Sequence, residues 1–109
     1  MSRAVETSTC VDAEPFALQV TDDSMEPEFP RGCVVVIDPT GAVRDGAYVF
    51  AALDGGYILR RLRLENERVW LDALNDAYAA RELDEGIAAV KGVVVQRAGA
   101  RRREHKRYD

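Results

Sequence analysis

Apolar residues in this chain fall into six short runs separated by turn-forming clusters. The runs cover residues 16–21, 33–38, 47–53, 57–64, 68–72 and 87–96, which is strand length rather than helix length. The punctuation between them is specific. Asp38-Pro39-Thr40-Gly41 closes the second run, and Val43 to Gly46 makes another turn. Asp54-Gly55-Gly56 carries the residue types of a tight hairpin, and Glu65-Asn66-Glu67 marks a further reversal. Gly92 interrupts the last run and predicts a bulge or bend there. Ala73 to Glu85 lacks a period and reads as loop, with a turn at Asn75-Asp76 and a short helical piece around Ala79–Leu83.

Six strands joined by tight turns predict a mainly β, compact antiparallel fold. Residues 15–97 form the predicted domain. Residues 1–14 are polar and read as a flexible leader, and residues 98–109 read as a frayed basic tail. The leader is too short for a helix-turn-helix unit, so a stand-alone domain is expected. At 109 residues and 47% hydrophobic content the chain suits one core. Its net charge of −4 argues against a whole-domain nucleic-acid binder. The charge is uneven: residues 97–109 carry six basic and two acidic side chains, a local +4, which leaves −8 on residues 1–96. Arg101, Arg102 and Arg103 are the candidate contact to nucleic acid or an acidic partner. Without interleaved aromatics they would not specify sequence. No apolar run approaches the ~20 residues of a membrane span, and no secretory signal is visible, so a cytoplasmic protein without membrane contact is expected.

The candidate chemistry centres on Ser24, at the junction between the first strand and a turn broken by Pro27 and Pro30. Read locally, Ser24 is equally a turn or N-cap serine, and Asp22 and Asp23 are turn and cap residues. Asp23 is the acid expected to pair with Arg60 or Arg61. Tyr48, Phe50, Tyr57 and Trp70 read as core or edge hydrophobes. Cys33 reads as a small buried hydrophobe, and no disulfide to Cys10 is expected. His105 has no partner signal, no metal-ligand spacing occurs, and no phosphate-binding glycine loop is present, so no cofactor or metal is expected.

An ordered set of landmarks carries a family resemblance. Asp23-Ser24-Met25-Glu26-Pro27 is followed by Gly32, an apolar strand ending at Asp38, and Asp45-Gly46 before the next strand. A glycine hairpin then leads to a return strand with Arg60-Arg61-Leu62, an Asn75 to Tyr78 segment, and Gly92-Val93-Val94. From about Phe16 to Gln96 the chain resembles the LexA/UmuD-like self-cleaving serine peptidase domain, shared by phage repressor C-terminal domains and distantly by signal peptidases. The resemblance implies a homodimer, regulatory protein partners, an SOS-type regulatory setting and a Ser-Lys dyad. Ser24 matches the nucleophile position, and Arg60 stands where the family has its lysine base.

That replacement decides the functional expectation. A serine hydroxyl needs a neighbour to accept its proton, and a buried lysine can do so because desolvation lowers its pKa. Arginine presents five donors and no acceptor, and at neutral pH on the order of one guanidinium in 10⁵ or fewer is neutral. Of the two adjacent arginines, strand alternation sends one inward, and Arg60 is the expected one. Lys91 and Lys106 are the only lysines, on the last strand and in the tail, and neither matches a family position for the base. Self-cleaving members also carry a small-Gly bond upstream of the serine, whereas residues 1–23 contain no glycine and Cys10-Val11 is the nearest substitute. The expectation is a non-cleaving regulatory or dimerisation module. Alternatives are an active serine peptidase with an unrecognised base, and a nucleic-acid accessory acting through the basic tail.

Overall fold

A computed structural model describes residues 14–98 and 106–108. The leader up to Ala13, Cys10 within it, and the Arg101 to His105 part of the tail lie outside the described residues. Eight strands form one antiparallel sheet: β1 (Phe16–Gln19), β2 (Val34–Asp38), β3 (Tyr48–Leu53), β4 (Gly56–Glu65), β5 (Arg68–Asp72), β6 (Arg81–Glu82), β7 (Val90–Ala98) and β8 (Lys106–Arg107). Their order is β1-β2-β7-β3-β4-β5-β6, with β8 pairing beside β7. The mainly β antiparallel expectation therefore holds, and the six predicted runs all contain strands.

Turn chemistry sets the hairpins. Asp54 and Gly55 have φ of 55° and 80°, and Leu53 faces Gly56, so the β3–β4 connection is a two-residue turn with both φ positive. That geometry follows the right-handed twist of the flanking strands. Asn66 and Glu67, at φ 54° and 63°, repeat it between β4 and β5, where Glu65 faces Arg68. Because β3 and β4 are locked by so short a loop, register places Arg60 opposite Val49 and Arg61 opposite Tyr48.

Three local readings differ from the outcome. The helical piece expected around Ala79–Leu83 is instead β6, pairing Glu82 with Trp70 and Arg81 with Leu71. Leu83 is buried just beyond it, its N–H donating to Val69 O at 2.8 Å, so the edge of β5 supplies partners that a helix would have supplied internally. The last strand begins at Val90, because Gly86–Ala89 form a 3-10 turn with only Ala89 buried. Lys106 and Arg107, expected to fray, pair with Arg97 and Gln96.

The core has two clusters. One gathers Val49, Leu62, Val69, Leu71 and Val93 of β3, β4, β5 and β7 with Leu83 just past β6. The other gathers Met25, Phe29, Val35, Ile37, Leu59 and Val94, so it builds directly on the turn that carries Ser24. Gly92 sits where the two meet. A register shift occurs next to it against β3, between Phe50 and Ala51, and another further along β7 against β2, between Val36 and Ile37. A Cβ at Gly92 would collide with Ile37 Cγ2 while only touching Asp38 O, at 3.4 Å. Gly92→Ala is expected to cost about 1–3 kcal/mol in a urea melt, the usual scale for overpacking. A cost below about 0.5 kcal/mol would mean that Ile37 moves aside freely.

Candidate functional site

The Ser24 turn leaves β1 and re-enters the sheet at β2. Its ends are tied by Val20 N–H to Cys33 O at 2.8 Å and Gly32 N–H to Val20 O at 2.7 Å. Inside, Phe29 N–H donates to Met25 O at 2.8 Å, a single helix-like turn that the two prolines keep from extending. Met25 and Phe29 are buried and anchor the turn in the second core cluster. Ser24 is itself 1% exposed, the one buried polar or charged side chain among the described residues.

The structure brings Ser24 and Arg60 together. Arg60 Nη1 donates to Ser24 Oγ at 2.7 Å and to Leu59 O at 2.8 Å. Arg61 is exposed on the other face of β4. Since Arg60 is a donor only, the serine's own hydrogen goes elsewhere. Ser24 Oγ donates to Asp22 Oδ1 at 2.7 Å, and Ser24 N–H donates to the same oxygen at 3.1 Å. Burial works against the Asp22 carboxylate, but the two Ser24 hydrogen bonds and the charges of Arg60 and Arg31 outweigh it and hold its pKa below the ordinary value.

Asp23 has a different partner from the arginine expected for it. Its Oδ1 accepts the Tyr78 hydroxyl at 2.7 Å. Residues 22–24 are bend and turn, and Asp22 caps the N–H and hydroxyl of Ser24 two residues on, in the manner of an Asx turn, while the Asp23 carboxylate goes to Tyr78. The hydrogen bond to Asp23 is the leading reason the Tyr78 phenol is pushed above its ordinary pKa, with burial and the two acids adding to it. Tyr78 also lies beneath the guanidinium, its ring centroid 5.5 Å from Arg60 Cζ.

Residues 75–78 clamp the turn from a distant part of the chain. Asn75 N–H donates to Ser24 O at 2.9 Å and Asn75 Nδ2 donates to Asp23 O at 3.1 Å. Asn75 Oδ1 meanwhile accepts from Ala77 N–H at 2.9 Å, which shapes the clamp itself. Sequence reasoning recognised Asn75 and Tyr78 as landmarks but assigned them no function. The turn-forming Asn75-Asp76 pair was the available signal, and it does not say what the turn touches.

A groove of about 340 Å³ runs along one side of the turn, lined among others by Leu18, Val20, Asp22, Phe50, Tyr57 and Leu59. Tyr57 is 61% exposed yet stacks on Phe50 with 4.9 Å between ring centroids, so the wall is aromatic and open to solvent. Neither lysine reaches Ser24: Lys91 Nζ donates to Ala88 O, and Lys106 Nζ is held by Glu28 at 2.8 Å. Among the described residues no cluster of three acidic, His or Cys side chains could hold a metal, and no helix is long and apolar enough to cross a membrane. Cys33 is a free thiol, half-buried, with burial pushing its pKa up against the Arg97 charge.

The structure thus sets a buried serine, on the turn after the first strand, against an arginine on a hairpin return strand. The comparison with known families gives the chain a family. A profile of the Peptidase S24-like family matches residues 3–95, and the chain belongs to that family. It is similar to the HTH-type transcriptional regulators for conjugative element R391 of Providencia rettgeri, SXT of Vibrio cholerae and pMERPH of Shewanella putrefaciens. Each is 35% identical over 88 residues, covering 74% of this chain. The chain spans 40% of the length of these relatives.

Proposed function

We propose that this chain is a non-cleaving regulatory module of the S24 family, whose work is association, with a second copy of itself or with a regulatory protein, in transcriptional control. The observation that supports it is the 2.7 Å hydrogen bond from Arg60 Nη1 to Ser24 Oγ. A group that donates to the serine and cannot accept its proton is not a general base. The similarity to regulators of conjugative elements supports the regulatory setting; an SOS-type setting rests on the LexA resemblance alone.

A second reading has one specific observation behind it. Asp22 Oδ1 accepts the Ser24 hydroxyl at 2.7 Å, the geometry of a base. Its lowered pKa makes it a weak one, far from the neutral range where proton abstraction is efficient. Contact with nucleic acid through Arg101, Arg102 and Arg103 carries less support, since those residues lie outside the described set and Lys106 beside them is held by Glu28.

Intact mass and labelling by a fluorophosphonate serine probe decide between the first two. The wild-type chain, incubated at pH 7 and pH 10, is expected to keep its mass and to label no more than Ser24→Ala. Ser24-dependent cleavage or labelling of the wild type at pH 7 would sink the non-cleaving reading and favour Asp22 as the base.

A further inference from the structure

We infer that Asp22 is a second block on Ser24, independent of Arg60, so that restoring a lysine at position 60 does not by itself restore a reactive serine. The inference rests on the non-cleaving reading and names how the site is held silent. Its basis is the direction of the hydrogen bonds. Arg60 Nη1 donates into Ser24 Oγ, and the one hydrogen Ser24 owns is directed to Asp22 Oδ1. The same carboxylate oxygen takes Ser24 N–H, which closes Asp22 and Ser24 into a local ring two residues long. Ser24 is 1% exposed, so water does not compete for these contacts. The hydroxyl's one proton is committed to Asp22, and one of its two lone pairs takes the Arg60 donor.

A lysine placed at position 60 would meet that carboxylate next to the serine. An anion within about 4–6 Å favours the charged ammonium and opposes the desolvation that would otherwise free its lone pair. The other charged and titratable groups facing the site do not cancel this. The Asp23 carboxylate is taken by the Tyr78 hydroxyl, Tyr78 packs its ring against position 60, and Arg31 acts on Asp22 through its charge. All of these stay in place when Asp22 alone is changed. Asp22 is thus a positioning residue: it fixes where the serine proton points and which protonation state a neighbouring amine would hold.

The test compares the wild type, Arg60→Lys, Asp22→Asn, and Arg60→Lys with Asp22→Asn. Asparagine keeps an acceptor oxygen for Ser24 and removes only the charge, so the fold is preserved. Asp22→Ala in the same two backgrounds guards against a replacement that happens to misfold. Two readouts are taken against pH: the fluorophosphonate labelling rate of Ser24, and the titration of the introduced lysine after ¹³C-methylation, read by NMR against the signals of Lys91 and Lys106. The expected result is that Asp22→Asn alone stays unlabelled and Arg60→Lys labels only at alkaline pH. In the double variant the lysine titrates about 1–2 pH units lower than in Arg60→Lys, and where labelling is detected its midpoint moves down with it. Identical lysine titrations with and without Asp22, or labelling of Asp22→Asn while Arg60 is present, would overturn the inference. Ser24-dependent labelling of the wild type would instead remove the non-cleaving reading on which it rests.

Discussion

Phe29→Ala is expected to lower the unfolding free energy by about 3–5 kcal/mol, the scale for truncating a fully buried aromatic. Phe29 is 0% exposed and joins the Ser24 turn to β3 and to Tyr108. Its ring meets Tyr48 of β3 edge-on at 4.9 Å and Tyr108 at 5.4 Å, and its N–H closes the helix-like turn onto Met25 O. Against a total stability on the order of 5–15 kcal/mol for a small domain, such a loss is a large fraction. The turn is expected to loosen before the rest of the sheet. Hydrogen exchange at residues 24–29 would show this, with amides of β3, β4 and β5 retaining protection under mild conditions. A denaturation midpoint within error of wild type would mean that Phe29 does not anchor the turn.

Removing residues 106–109 is expected to cost about 2–4 kcal/mol, from the buried part of one tyrosine together with its charged hydrogen bonds. Tyr108 N–H donates to Val95 O at 2.9 Å, and its ring packs against both Phe29 and Tyr48. Its hydroxyl donates to Glu28 Oε2, which also takes Lys106 Nζ at 2.8 Å. Arg97 Nη1 completes the hub, 2.6 Å from Glu28 O and 3.6 Å from its carboxylate. Glu28 lies four residues after Ser24, so the end of the chain fastens the turn that carries the serine.

The pH dependence of that fastening has a definite sign. Burial opposes the Glu28 carboxylate, but the hydrogen bonds from Lys106 and Tyr108 and the charges of Lys106 and Arg97 prevail, and its folded pKa lies below the ordinary glutamate value. A carboxyl whose pKa is depressed by folding stabilises fully above its unfolded pKa, and the contribution fades as pH falls through the folded value. The stability gap between the full chain and the chain ending at His105 should therefore be widest near neutrality. It should narrow below about pH 4.5 as the unfolded carboxyl protonates first. Glu28→Gln should remove most of that pH dependence while leaving the aromatic contacts. A gap that widened in acid would exclude Glu28 as its source.

Strands and hairpins were legible because they rest on neighbours in sequence. The apolar runs at 47–53 and 57–64, joined by Asp54-Gly55, specify a hairpin and its register through local sterics, and register then places Arg60. The β6 pairing was not legible, because Arg81 and Glu82 have no strand period of their own and depend on the open edge of β5. The tail was read as frayed for the same reason: its partner, Glu28, is 80 residues from Tyr108.

By itself, the sequence determined the antiparallel β class, the turn at Ser24, and Arg60 as the inward one of two adjacent arginines. Each depends on residue type and short-range spacing, which a linear chain displays directly. Only the tertiary structure decided which acid touches the serine. Asp22 and Asp23 are adjacent and chemically identical, and what separates them is the direction each faces once Asn75 and Tyr78, more than fifty residues away, clamp the turn. The tertiary structure likewise decided that Ser24 lies buried between a donor and an acceptor. Burial and hydrogen-bond direction belong to the packed chain, since both are set by side chains that come together only when β1, β4 and the 75–78 segment close around one point.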